Sequence, residues 1–547
     1  MIIAFCLLLP ILCGCLPENT SAPPVAEAAE AAPAPAEPEE PAAAPQEELP
    51  PADPRPAEVR MLTSTPANLD PADISRGGKT CLLEIYEPLF VIDPDTRALT
   101  PVLADAAQGE NGVEHAAGTG VYTVNLLPGL ADHQGNPVTA EDAAFCCTRT
   151  AEALGWSDFK SAVAESETRL TLTFAKELSA PGRRAEVLSA FYLYSKAAFE
   201  AADSFAASAC GTGPYMLSAC SAGESLTVQA WDGYRLPPEN RAARAAANVL
   251  SVTYVFEDSP AEQVMQLEVG KAQMCDELSF ADTVDFRQGG VYADLFQTVL
   301  TPSEDNLVIF PNQAYESVMK EEDLRKGLFY AINTTALADY QGEGGAVPCF
   351  AVANPTAPDL PASFAEKENY QTQTLEVDAV RTYLRRANYV NEAFVLLVEE
   401  DTAAEELAVL IQTALRPWSI TANVVAVSLE EFNERLGNPK AWNLAILTLK
   451  ADTAAGLWKQ LWTDTAVGST VRGSLKDTRF NAYLDAVSTE AGCTEENMTV
   501  AGEYMLEHAY AMSLVQDYRC AVVPAGVSSV CLTARGELLP GACVFGG

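Results

Sequence analysis

The apolar and polar positions of the C-terminal half switch between two periods. Residues 393–398 are a short apolar run. Thr402 with Glu405 then makes a capping-box pattern, and Leu407, Leu410, Ile411 and Ala414 recur at helical spacing until Pro417. Residues 420–427 are rich in β-branched side chains and predict a strand. Ser428 with Glu431 predicts a second helix start that Gly437 can end, and residues 442–449 are a third apolar strand. Strand, helix, strand, helix, strand at this spacing predicts parallel pairing, because each return to the sheet needs a crossover helix. Upstream, Thr139 ahead of Glu141 and Asp142 predicts a helix start, as does Ser259-Pro260 with Gly270 past the end. Gly211 and Gly213 predict backbone freedom before a strand. With no third glycine and no following lysine they do not make a phosphate loop, and Gly118-Thr119-Gly120 reads the same way. Trp458 and Trp462, four apart, predict one helix face turned into a core. The body, from about residue 56 onward, is α/β and long enough for two large lobes or several small domains.

Residues 1–15 break this pattern. Their apolar run is too short to span a bilayer and fits the core of a secretory signal. It closes with Leu12-Cys13-Gly14-Cys15, which resembles the lipobox of bacterial lipoproteins. That resemblance implies a leader over residues 1–14 and a lipid on Cys15, each buried methylene adding about 0.8 kcal/mol of membrane affinity. Residues 21–58 are almost entirely Ala, Pro and Glu, with only Val25 and Leu49 as bulky aliphatics. Such a segment cannot offset its ordering entropy by burial, so residues 15–58 are expected to form a disordered, extended stalk reaching about 100 Å. A spacer with no required length fits the composition equally well.

Charge narrows the function classes. The net charge is −41, and the ten acids and two bases of residues 16–60 leave about −33 on the body. A surface this negative, without a Lys/Arg run, excludes nucleic acid and repels anionic headgroups. Eleven cysteines lie beyond the leader and lipobox, an odd number whose pairing spacing cannot assign, and Cys146-Cys147 read as small buried thiols on a helix. His115, His133 and His508 are far apart and no CxxC occurs, so no metal site or cofactor is expected.

In open α/β sheets, ligands bind outside the carboxyl ends of the strands. Glu399, Glu400 and Asp401 follow the first predicted strand and read as a solvated turn. Lys450-Ala451-Asp452 follows the third, where a carboxylate would suit an ammonium group such as a peptide amino terminus.

The N-terminal half carries an ordered series of motifs. It runs through Asn68-Leu69-Asp70-Pro71, Glu84-Ile85-Tyr86-Glu87-Pro88-Leu89-Phe90, Asp93-Pro94-Asp95 and Leu99-Thr100-Pro101-Val102-Leu103-Ala104. Tyr122-Thr123-Val124-Asn125-Leu126, His133-Gln134-Gly135-Asn136-Pro137-Val138-Thr139-Ala140-Glu141-Asp142, Gly211-Thr212-Gly213-Pro214-Tyr215 and Gly223-Glu224-Ser225-Leu226 follow. Asn306-Leu307-Val308-Ile309-Phe310-Pro311-Asn312, Leu324-Arg325-Lys326-Gly327-Leu328 and Tyr330-Ala331-Ile332-Asn333 extend the series into the second half. In that order the motifs resemble the extracellular solute-binding lipoproteins of the dipeptide/oligopeptide/nickel ABC-importer family, family 5.

The resemblance implies an enlarged class II, periplasmic-binding-protein-like α/β fold with two lobes, a hinge and an interlobe ligand cleft. Residues 59–303 and a C-terminal return over 514–547 would form the first lobe, and residues 304–513 the second. It implies a membrane-tethered monomer on the outer face of the cell membrane that captures a small peptide or similar solute for ABC permease subunits, without catalysis. By position, Ser75, Arg76 and Gly77 would meet the ligand backbone. Leu449, Lys450, Ala451 and Asp452 would hold the peptide amino terminus, with Leu449 standing where peptide-binding relatives carry an aromatic residue. Two alternatives stay open: an orphan receptor or adhesin without its own permease, and a secreted hydrolase. Against the hydrolase stand the absence of His-Glu-x-x-His and Gly-x-Ser-x-Gly motifs and the count of three histidines.

Overall fold

The computed structural model describes residues 55–546 apart from 74–78, 95, 203–204, 206–207, 237–240, 315–316, 341, 343 and 373–376. The leader, Cys15 and most of the Ala/Pro/Glu segment lie outside the described residues.

The three predicted strands of the C-terminal half form as Phe394–Glu399, Ala422–Val427 and Leu444–Lys450. The first lies between the other two, parallel to both, with Leu396 opposite Val424 on one side and Leu444 on the other. The helices Ala403–Leu415 and Leu429–Leu436 make the crossovers. Leu407, Ala408, Ile411 and Leu415 of the first are buried. At its start, Asp401 adopts a left-handed backbone (φ 58°), so the Glu405 carboxylate accepts from the Asp401 N–H at 2.9 Å. The Thr402 hydroxyl turns back to the Glu399 carbonyl at 2.8 Å, which displaces the expected capping box by one residue. Ser428 caps the second helix through the Glu431 N–H. Gly437 ends it in a right-handed conformation (φ −65°), where the left-handed freedom of glycine is not used.

This sheet is mixed. Leu444–Lys450 also pairs antiparallel with Asp305–Pro311, which pairs in turn with Met512–Ser513. Around it lies a core that includes Phe310, Leu396, Ile446, Trp458 and Trp462, both tryptophans fully buried. The Trp458 indole donates to the Val352 carbonyl at 2.6 Å.

A second, eight-stranded sheet draws its strands from both ends of the chain. Tyr215–Ser221, Ser225–Ala230, Ser251–Phe256, Val59–Thr63, Met274–Ser279, Val515–Pro524 and Phe296–Pro302 lie side by side in that order, with Ala346–Pro348 also paired to Val515–Pro524. A smaller antiparallel sheet, Val113–His115, Val121–Asn125, Arg169–Phe174 and Phe159–Ala164, accompanies the helix Ala140–Ala153. At the start of that helix, Asp142 accepts from both the N–H and the hydroxyl of Thr139 at 2.8 Å. Cys146 and Cys147 are buried on it, and burial pushes the Cys146 thiol up to about 12. The helix Pro260–Glu268 starts and ends as read, with Ser259 capping and Gly270 at φ 70°. Gly211 and Gly213 have another reason than backbone freedom. A Cβ on either would stand 2.2 Å from the carbonyl oxygen of Ile85 or Glu84, so these glycines serve close packing.

The two sheets are joined by strands that change partners. Phe296–Pro302 belongs to the eight-stranded sheet and Asp305–Pro311 to the mixed one, so the chain crosses at Ser303-Glu304. Met512–Ser513 and Val515–Pro524 make the return crossing at Leu514. Buried carboxamides lock both crossings. Asn306 donates to the carbonyls of Glu304, Leu449 and Ala451 at 3.0–3.3 Å and accepts from the Asn354 N–H at 3.1 Å. Asn354 donates to Ser303 and Asp305, while Gln516 donates to the Ser303 carbonyl at 2.9 Å and the Thr356 hydroxyl at 2.6 Å. Satisfying so many buried carbonyls fixes where the chain passes between lobes.

Candidate functional site

The Ser303-Glu304 crossing lines a cavity of about 700 Å³, a volume suited to a small-molecule or short-peptide ligand. Ala451 and Asp452 reach it from the end of Leu444–Lys450, and Arg97 from the loop after Asp93-Pro94. The segment 529–534 closes another side. Asn354, Thr356 and Gln516 bring the amides of the crossing to its floor, and Val299, Leu300, Val530 and Leu532 supply apolar wall.

Four charges meet at this cavity. The Arg97 guanidinium lies 3.0 Å from Glu304 and 3.8 Å from Asp452, and it also donates to the Ala534 carbonyl at 2.7 Å. Arg535 reaches the other Glu304 oxygen at 3.2 Å. Burial, reinforced by the Asp452 carboxylate beside it, pushes the Glu304 carboxyl up to about 7, against the pull of the two arginines. Asp452 takes no part in capping the helix Ala454–Lys459 that follows it. Thr453 does that, its hydroxyl accepting from the Gly456 N–H at 3.1 Å, joined by the Asp359 carboxylate, which accepts from the Ala454 and Ala455 N–H groups at 2.6 and 2.9 Å. Beyond the cavity, segments distant in sequence touch: the Thr453 hydroxyl donates to the Pro181 carbonyl at 3.4 Å, and the Glu490 N–H donates to the Ser179 carbonyl.

The residues singled out from sequence separate into three groups. Ala451 and Asp452 line the cavity. Leu449 is half-buried against the mixed-sheet core and Lys450 is exposed, its carbonyl accepting from Gln460 at 2.8 Å; neither is among the lining residues. Ser75, Arg76 and Gly77 lie outside the described residues. Glu399, Glu400 and Asp401 form a partly exposed turn away from the lining. Sequence reasoning missed Arg97, Glu304 and Arg535. Each sits in a turn or crossing where no periodicity marks it, and Arg97 and Glu304 are 207 positions apart.

The eleven described cysteines are all free thiols, and no group of three metal-ligating side chains occurs among the described residues. No helix among them is long and apolar enough to cross a membrane.

The model of the bacterial extracellular solute-binding proteins, family 5, matches residues 98–467. No curated protein sequence matches. Among solved structures, HbpA2 from Haemophilus parasuis superposes with a TM-score of 0.73 at 15% identity, covering 89% of this chain and 99% of its own. NikA from Brucella suis in complex with Fe(III)-EDTA gives 0.72 at 15% identity over 89% and 99%. The ABC transporter-associated periplasmic binding protein DppA from Helicobacter pylori, in complex with the peptide STSA, gives 0.64 at 16% identity over 90% and 99%. These likenesses extend over both lobes of the fold, and with a family match over more than half its length this chain belongs to the family 5 bacterial extracellular solute-binding proteins.

Proposed function

We propose that the protein is a lipid-anchored receptor, held to the outer face of the cell membrane through Cys15, that captures a short peptide or similar solute and presents it to the permease of an ABC importer. The observation that carries this reading is the 700 Å³ cavity at the crossing of two lobes, with the Asp452 carboxylate in its wall. In this reading residues 59–303 with 514–547 close on residues 304–513, and the solute favours closure only through contacts that both lobes make with it. Asp452 would accept from the ammonium end of the solute, a charge-assisted hydrogen bond of the stronger kind. Ala451 offers backbone beside it, while Leu449 and Lys450 act by holding that backbone in place. The solved relatives bound to a peptide or to a metal chelate support a solute of this size class.

A thermal-shift screen of di- to hexapeptides, sugars and metal chelates tests the reading. A true ligand at a hundredfold excess over its dissociation constant stabilises the fold by about 2.7 kcal/mol. Asp452→Asn is expected to weaken an amine-bearing ligand while leaving unfolding nearly unchanged. No shift with any peptide would count against the peptide class. For the anchor, Cys15→Ser is expected to release the protein from the membrane fraction, and retention there would refute it.

A further inference from the structure

Backbone holds Glu304 and Asp452 side by side. The Ala451 N–H donates to the Glu304 carbonyl at 3.2 Å, and the Asn306 carboxamide donates to the carbonyls of Glu304 and Ala451 at 3.0 and 3.1 Å. The two carboxyl groups then converge on one nitrogen of the Arg97 guanidinium, at 3.0 and 3.8 Å. Arg535, itself flanked by Glu537 and Tyr192, reaches the second Glu304 oxygen at 3.2 Å. Of the neighbouring charges, Lys450 is exposed, while Asp305 and Asp517 repel each other across the crossing. Asp517 meets this segment through its backbone carbonyl, which accepts from the Ser303 N–H at 2.8 Å.

The Glu304 and Asp452 side chains keep only 14% and 22% of their exposure, so water does little to screen one carboxylate from the other. Two acids set so close retain one proton between them well above the pH at which an isolated carboxyl loses its own. With that proton on Glu304, the four groups carry one net positive charge, two guanidiniums against one carboxylate. A solute ammonium entering the cavity would double that charge in surroundings of low dielectric, at a steep cost. If the proton leaves as the ammonium arrives, the net charge is the same before and after, and both carboxylates gain a partner.

We propose that amine-bearing solutes are captured in exchange for a proton: the Glu304 O–H gives its proton to water as the ammonium seats between Glu304 and Asp452. The inference rests on the receptor reading above and deepens it, adding Glu304 to the site and a proton to the binding equilibrium. No bond of the solute changes. Capture is strongest near neutral pH and weakens in acid, where the proton competes for the same place.

The test is calorimetric titration of the purified protein with an alanine tripeptide at pH 6, in phosphate and in ACES, two buffers whose ionisation enthalpies differ. The difference in heat between them counts the protons released, and about one per bound peptide is expected. Affinity is expected to rise about tenfold from pH 5 to pH 6, the slope that one exchanged proton gives. Glu304→Gln, which keeps the shape of the protonated acid, is expected to release none and to bind equally at both pH values. Binding of the tripeptide with no proton released at pH 6 overturns the inference and leaves the receptor reading standing. A release that persists in Glu304→Gln overturns it too, since the proton then comes from elsewhere. Release on binding of the N-acetylated tripeptide, which carries no ammonium, does the same. If the glutamine variant fails to fold, the proton counts of the unmodified protein with the two peptides still decide. No binding of the tripeptide at pH 7 overturns the peptide reading and this inference with it.

Discussion

Two cavities of the molecule, of about 700 and 380 Å³, share Pro94, Ala243 and residues 531–534 in their walls and hold their charges differently. At the crossing, Arg97 and Arg535 answer Glu304 and Asp452, so the charges cancel among themselves. In the smaller cavity, lined by Leu83, Val91, Ile92 and Tyr192, the half-buried Arg244 makes no ion pair among the described residues, and its charge is drawn to the buried Glu84. The first arrangement serves the fold as well as the solute, since it draws three distant loops and one crossing to a point. The second is a looser, longer-range attraction between a cation and a buried carboxyl.

That contrast can be broken at several points, the largest effect coming from the frame. Asn306→Ala at the crossing would take the carboxamide donor from the carbonyls of Glu304, Leu449 and Ala451, Glu304 keeping only the Ala451 N–H, and is expected to cost about 2–3 kcal/mol in urea unfolding. A loss below about 0.5 kcal/mol would mean that the crossing is not held by its amides. Arg97→Met leaves Glu304 and Asp452 facing each other with Arg535 as the remaining cation, and is expected to cost about 2 kcal/mol at pH 8. The loss should shrink at pH 5, where Glu304 is protonated; a loss independent of pH would deny the mutual repulsion. Smallest of all, Lys450→Ala should stay within about 0.5 kcal/mol and leave solute affinity unchanged, because its side chain is exposed. Weakened binding in that variant would move the site outward along the strand.

Acidity bears on the same comparison. Burial pushes the carboxyls of Glu84, Asp276 and Glu304 up to about 7 and that of Asp517 up to about 6. Between pH 4.5 and 7 the folded chain therefore binds more protons than the unfolded chain, and its stability falls as pH rises. His133 works the other way. Burial lowers it to about 4, so it subtracts stability as pH falls below 6.5, and the carboxyls of Glu114, Glu165, Glu322 and Asp477, held below their ordinary range by hydrogen bonds and ion pairs, add to that at lower pH; Glu114 and Glu165 are solvent-screened, and the four buried carboxyls carry the larger displacements. Thermal unfolding is expected at a higher temperature at pH 5 than at pH 8, and the reverse order would refute these burials.

The parts that sequence made legible are those whose contacts are local. The parallel strands at 394–399, 422–427 and 444–450 follow from short apolar runs separated by capped helices, though that 394–399 lies between the other two is not in the runs themselves. The first-lobe sheet hides its plan. Val59–Thr63 pairs with Ser251–Phe256 and Met274–Ser279, and nothing in its five residues names those partners. The thiols of Cys146 and Cys147 and the indoles of Trp458 and Trp462 were readable as core because burial follows directly from apolar periodicity. Gly211 and Gly213 were readable as necessary but for a different reason, since carbonyl oxygens of a distant segment crowd them. In the site, Ala451 and Asp452 were marked by ending a strand in an α/β sheet, a rule of topology. Arg97, Glu304 and Arg535 were not, because a turn and a crossing have no period and their meaning arises from what folding brings beside them.

The central claim is that a solute enters between the lobes, is held by contacts at the crossing and leaves unchanged. The most direct measurement is to incubate the protein with mixed di- to hexapeptides, isolate it by gel filtration, denature it and weigh what is released by mass spectrometry. The account predicts intact peptides, about one per chain at saturation, largely lost from Asp452→Asn. Recovery of cleaved fragments, or full retention by that variant, would contradict it.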